Sequence, residues 1–111
     1  MIKTTTELIA GREITEVLGI VKGSTVRTKN VVRDITANLK NIIGGELKGY
    51  TEMLNEAREE ASDRMVAEAE SLGADAIVSI RYQSSSIASG GSEMFCYGTA
   101  VKLKYGNAVR K

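Results

Sequence analysis

The residues best suited to chemistry are carboxylates crowded into one stretch. Glu52, Glu56 and Glu60 recur every four residues, and Glu59 with Asp63 makes a second such pair. On a helix this spacing puts each set on one face, where like charges repel by a few tenths of a kcal/mol per pair, roughly. A hard cation such as Mg²⁺ or Ca²⁺ would relieve that repulsion. Arg58 and Arg64 lie in the same stretch, so a solvated face that balances its own charge explains the pattern equally well. Cys96 is the single thiol and the one soft donor of its kind. Alone it cannot close a metal site, although copies arranged around a symmetry axis could each give one thiolate. Set between Phe95 and Tyr97 on a strand, it also fits the role of a small buried hydrophobe. Met53, Met65 and Met94 add thioethers, but the first two fall on a helical stripe and read as core.

Three further constellations are weaker. Gly44-Gly45-Glu46-Leu47-Lys48-Gly49 precedes a helix start, where a glycine loop can cradle an anion. It lacks the Gly-Lys-Ser/Thr ending of a P-loop and the GxGxxG pattern, so a plain helix–helix turn accounts for it. Glu46 would then sit favourably beside the positive end of the helix. Ser84-Ser85-Ser86 and Ser89-Gly90-Gly91-Ser92 offer hydroxyls, but the chain has no His and this stretch has no Lys to act as base. Arg27, Lys29 and Arg33 form a small basic cluster with no aromatic platform beside it, a poor match to nucleic-acid binding. The best ligand-binding or catalytic set is Glu46, Tyr50 and Arg58, shared across a subunit boundary if it acts at all. Within one chain we expect Arg58 to pair with a carboxylate, Glu46 being the candidate, and to order the Gly44-Gly45 turn.

Composition narrows the classes. The chain has 111 residues and 11.9 kDa, enough for one domain and no more. Apolar residues make up 42% and charged residues 26%, the balance of a folded globule rather than a disordered chain. A net charge of +1 speaks against binding nucleic acid by phosphate neutralisation. The lack of His removes the commonest general base and the commonest metal ligand. No constellation calls for an enzyme. No stretch approaches the roughly 20 apolar residues that cross a bilayer. Met1 to Glu7 does not read as a secretory signal, and with one Cys the expected compartment is the cytoplasm.

The elements that would hold these residues can be read from periodicity. Residues 13–28 are rich in β-branched types and read as a strand that Gly19 and Gly23 bend or break. Ile14, Leu18 and Ile20 share one parity, and Val17 and Val21 the other. Asn30 then caps a helix whose apolar positions are Val31, Val32, Ile35, Leu39, Ile42 and Ile43, ended by Gly44-Gly45. A second helix spans about 50–72, roughly 34 Å long. Its stripe is Tyr50, Met53, Leu54, Ala57, Ala61, Met65, Ala69 and Leu72, and Gly73 caps it. Residues 76–83 and 93–104 read as two strands of a hairpin, with a Ser/Gly loop over 84–92. Residues 107–111 form a short tail that frays, leaving 1–106 as the domain. A right-handed crossover makes the first two strands parallel, and the third fits between them. The expected fold is α+β: a three-stranded antiparallel sheet of order 1-3-2 packed on the long helix, with an extra helix after the first strand.

The last strand carries the strongest hint about behaviour. Met94, Cys96, Gly98 and Ala100 point one way and suit the Ala-rich helix; Phe95, Tyr97, Thr99, Val101 and Leu103 point the other, where Ile77 is expected to join them. A sheet with one wet face alternates apolar and polar residues, and this one does not. Either the first helix or a neighbouring subunit must cover the second face.

Several motifs, taken in order, resemble the YbjQ-like family. They are Leu18-Gly19-Ile20-Val21-Lys22-Gly23; Gly44-Gly45-Glu46 and Tyr50; Leu54, Ala57-Arg58, Ala61, Met65 and Ala69; Leu72-Gly73-Ala74-Asp75-Ala76-Ile77-Val78; and Tyr97-Gly98-Thr99-Ala100-Val101. The resemblance implies a dodecin-subunit-like strand-helix-strand-strand unit assembled as a ring-like homo-oligomer, a pentamer. It brings no established catalytic residue and an unnamed ligand. Its heavy-metal label makes a metal ion the cofactor to test, with Cys96, carboxylates or ligands pooled between subunits as the donors this chain can offer.

Overall fold

The computed structural model describes residues 1–27, 48–87 and 91–106. The helix expected over 31–43, its Asn30 cap, the Gly44-Gly45 turn and the 107–111 tail lie outside them. The elements in chain order are β1 (Ile2–Lys3), β2 (Ile14–Arg27), α1 (Lys48–Ser71), β3 (Ala76–Ile87) and β4 (Gly91–Leu103). The sheet has four strands in the order β1-β3-β4-β2. β4 runs antiparallel to both neighbours, and β1 runs parallel to β3. The expected three-stranded antiparallel sheet is therefore corrected to a four-stranded mixed one. A two-residue strand leaves no periodicity to read. The segment that follows it completes the hydrogen bonding of β3. β3 carries an irregularity between Val78 and Arg81, with Ser79 at a φ of 56°. The Ser79 and Ile80 N–H groups instead donate to the Thr6 and Thr4 carbonyls at 2.9 and 3.1 Å.

The hairpin strands are longer than their sequence promises. Ser84, Ser85 and Ser86 lie in β3, opposite Met94, Glu93 and Ser92, rather than in a loop. β4 is held on its other side too, by Thr25, Val26 and Arg27 of β2. Pairing on both flanks outweighs the poor strand preference of Ser and Gly. β2 also runs unbroken through both glycines. Gly19 takes a φ of 132° at a register shift between Val17 and Gly19. That shift reassigns the faces. Leu18 and Val21, of opposite parity, both pack toward the helix, while Val17 and Ile20 share the far side with their partners Val101 and Thr99.

The inner core lies between α1 and the sheet. Met53, Ala57, Ala61, Met65 and Ala69 form the buried stripe of α1 at the spacing expected of it. All but Met53 share one cluster with Val21, Ile77, Ile80, Met94, Cys96 and Ala100. Ile77 thus faces the helix, opposite Ala100, and not the far side as the sequence implied. At Gly23 the two layers touch through backbone. A Cβ there would lie 2.0 Å from the Ala61 carbonyl oxygen and 2.6 Å from the Met65 nitrogen. α1 ends in a Schellman turn, with Gly73 at a φ of 77°, Ala74 N–H donating to Ala69 O and Gly73 N–H to Glu70 O. Leu72 lies beyond the helix and is exposed. No described helix is long and apolar enough to cross a membrane.

A second, smaller cluster sits on the far side of the sheet. Ala76, Val78, Val101 and Leu103 pack there under Ile2, Ile9 and Ile14. The N-terminal arm therefore covers one end of that face itself.

Candidate functional site

Of the set singled out from the sequence, Tyr50 and Arg58 lie among the described residues, both in α1. Glu46 lies outside the described residues. Tyr50 falls in the first turn of α1. Arg58 is exposed two turns further on, and its Nη1 donates to Asn55 Oδ1 at 2.5 Å. Asn55 is its partner among the described residues, and the pairing expected with Glu46 falls outside them. Asn55 sits three positions back on the same face, nearer than any group across a turn. The acidic face is largely solvated: Glu52, Glu56, Glu59 and Asp63 are exposed, and Glu60 accepts from Arg64 Nη2 at 2.6 Å. Arg64 Nη1 also donates to the Ser24 carbonyl at 2.6 Å, tying α1 to the edge of β2. Among the described residues no group of three or more His, Cys, Asp or Glu stands ready to hold an ion.

Cys96 is fully buried on the inner face of β4, between Gly23 and Tyr82 of the adjacent strands. Burial pushes its thiol above the ordinary value of 9.0, and the Gly23 backbone and the positive Lys3 offset this only in part. Lys3 reaches over the same edge and donates to the buried Ser62 Oγ at 3.3 Å. Fifty-nine residues separate that pair, so no local pattern announces it. Asp75 was equally invisible as a working residue. Its carboxylate accepts from the Leu103 N–H at 2.9 Å while its own N–H donates to the Val101 carbonyl at 2.9 Å, locking the end of β4. The only sequence signal was an acid two places after the helix-ending glycine.

The remaining feature is a surface. On the far side of the sheet Val17 is 67% exposed, Ile20 74%, Val26 51% and Tyr97 38%. Register places Tyr97 directly between Lys22 and Arg81, so all three share this face. Phe95 is half-buried, its ring centroid 5.6 Å from that of Tyr97. Arg81 is anchored by donating to the Thr5 and Ile80 carbonyls at 3.0 and 2.8 Å. A shallow groove of about 490 Å³ continues round the β2 edge past Lys22, Ser24, Arg64, Glu93 and Phe95. Small-molecule sites are mostly enclosed and apolar with a few aimed polar groups. This groove is instead open and lined by charges of both signs.

Comparison with known proteins gives a consistent picture. The family model described as "Putative heavy-metal-binding" matches residues 1–104. A UPF0145 protein of Halorubrum lacusprofundi is 58% identical over 99 residues, covering 89% of this chain and 95% of its own. One from Thermosipho africanus is 56% identical over 107 residues, covering 96% and 99%. A crystal structure of a protein of unknown function from the DUF74 family of Pediococcus pentosaceus aligns with a TM-score of 0.63 at 18% identity, covering 94% of this chain and 98% of that one. At that identity the likeness speaks for the fold alone. The family model and the curated relatives together settle membership: the chain belongs to the YbjQ-like family.

Proposed function

We propose that this protein works as a homo-oligomer, a ring-like pentamer of dodecin-like subunits in the cytoplasm, acting as a binding or structural module rather than an enzyme. One observation carries the proposal. The N-terminal arm seals the Val78–Val101–Leu103 end of the sheet's far side, while Val17, Ile20, Val26 and Tyr97 stay open next to it. Burying an aliphatic side chain is worth about 1.5–3 kcal/mol. Leaving several wet on a small domain forfeits much of a stability that totals about 5–15 kcal/mol. Covering them with a second copy recovers it. Lys22, Arg81 and Glu93 ring the apolar residues with charges of both signs, which suits a self-complementary contact.

Sedimentation velocity on Ile20→Asp tests this. The side chain is largely exposed in the single chain, so the fold tolerates the change, while a buried unpaired carboxylate at a subunit contact does not. The expected result is a shift from the assembled species to the 11.9 kDa chain with unchanged circular dichroism. Identical sedimentation of variant and wild type would reject this face as the contact.

A further inference from the structure

The family's heavy-metal label can be set against the donors this chain has. Soft and borderline ions select thiolate and imidazole. The whole sequence holds no His, one Cys and four Met. Any thiolate site must therefore be built on Cys96, with the Met thioethers of the same chain or with Cys96 of neighbouring copies.

Neither route is open. Within the chain, Met65, Met94 and Cys96 do share one core cluster. It is closed: Met65 and Cys96 have no exposed surface and Met94 has 8%. The strand position opposite Cys96 is Gly23, where the helix backbone lies so close that even a Cβ would meet the Ala61 carbonyl oxygen at 2.0 Å. A layer that has no space for a methyl group has none for an ion and its coordination sphere. Between chains, Cys96 would have to reach a subunit surface. It points to the helix side of β4, beneath α1, away from the open face that carries Val17, Ile20 and Tyr97. A thiolate ring around a symmetry axis would require α1 to lift off the sheet. The chemistry points the same way. A metal-binding thiol is a depressed-pKa thiol in an electropositive, partly exposed place, and the burial of this one acts in the opposite direction.

We infer that this chain holds no heavy metal through its thiol: Cys96 is a core residue, and the folded protein binds no soft metal through it, within a subunit or between subunits. This stands whatever the oligomeric state, because the Cys96 side of the sheet is sealed by the chain's own helix.

The test uses the full chain, purified reduced, loaded separately with Zn²⁺, Cd²⁺ and Cu⁺, desalted and assayed for metal. The expected result is retention far below one ion per chain, no thiolate-to-metal charge-transfer absorption, and the same values for Cys96→Ser. Retention near one ion per chain, or per fixed number of chains, that Cys96→Ser abolishes would overturn the inference. Should that variant fold poorly, thiol reactivity of the native wild type decides the same point. Cys96 should resist a thiol-specific aromatic disulfide until the protein is unfolded. Fast reaction of the native protein would show the thiol accessible and sink the argument.

Discussion

Gly23 and Cys96 face each other across β2 and β4, and each makes a measurable claim. Gly23→Ala drives a methyl into the Ala61 carbonyl, and backbone cannot step aside as a flexible side chain can. Overpacking of this kind costs about 1–3 kcal/mol, and the upper end applies here. Urea denaturation should show that loss with an unchanged slope; a variant as stable as wild type would mean the helix sits further off the sheet than described. Cys96 adds a pH dependence. Its folded thiol titrates above the ordinary 9.0, so above that pH the unfolded chain sheds a proton that the folded one keeps. The unfolded state then binds fewer protons, and stability falls with rising pH. The contribution of Cys96 is thus complete below pH 9.0 and fades above it. Wild-type stability measured against Cys96→Ala should differ by a constant amount up to that point and converge beyond it. A difference constant into strongly alkaline solution would contradict the buried thiol.

Among the elements, α1 and the inner face of β4 were legible because each obeys one period over its length. Met53, Ala57, Ala61, Met65 and Ala69 keep helical spacing, and Met94, Cys96 and Ala100 keep strand alternation. Legibility ended where a register shift interrupts the period. At Val17–Gly19 the shift puts Leu18 and Val21 on one side, which alternation forbids, and Ile77 was misplaced because its face depends on pairing with Ala100. The arm was unreadable for another reason: its order comes from Ser79 and Ile80, more than seventy residues away. The candidate site is legible only in part: Arg58 was assigned a carboxylate by charge, it donates to Asn55 three places back, and Glu46 lies outside the described residues. The arm itself is testable. Deleting residues 1–9 uncovers Val78, Val101 and Leu103 and leaves the Ser79 and Ile80 N–H groups without their acceptors. Each such lost hydrogen bond costs about 1–3 kcal/mol if the donor stays buried. The truncated chain should melt well below the full one and bind a hydrophobic dye; an unchanged melting curve would show the arm to be dispensable.

At the scale of the whole molecule the sheet is asymmetric. Among the described residues, one side is closed by α1, and the other is closed at one end by the arm and open beside it. The alternation along β4 foretold a sheet with two apolar sides, but not how they would be covered. Part of the far side, which the sequence left to the first helix or to a neighbouring subunit, is covered by the N-terminal arm, which confines the proposed contact to the stretch from Val17 to Val26 and Tyr97. Light scattering of the wild-type protein at micromolar concentration puts this to the plainest test. The account predicts a mass that is a fixed multiple of 11.9 kDa, five if the ring is a pentamer, independent of concentration. A single species at 11.9 kDa would contradict it, leaving Val17, Ile20 and Tyr97 as an exposed surface with no copy to cover it.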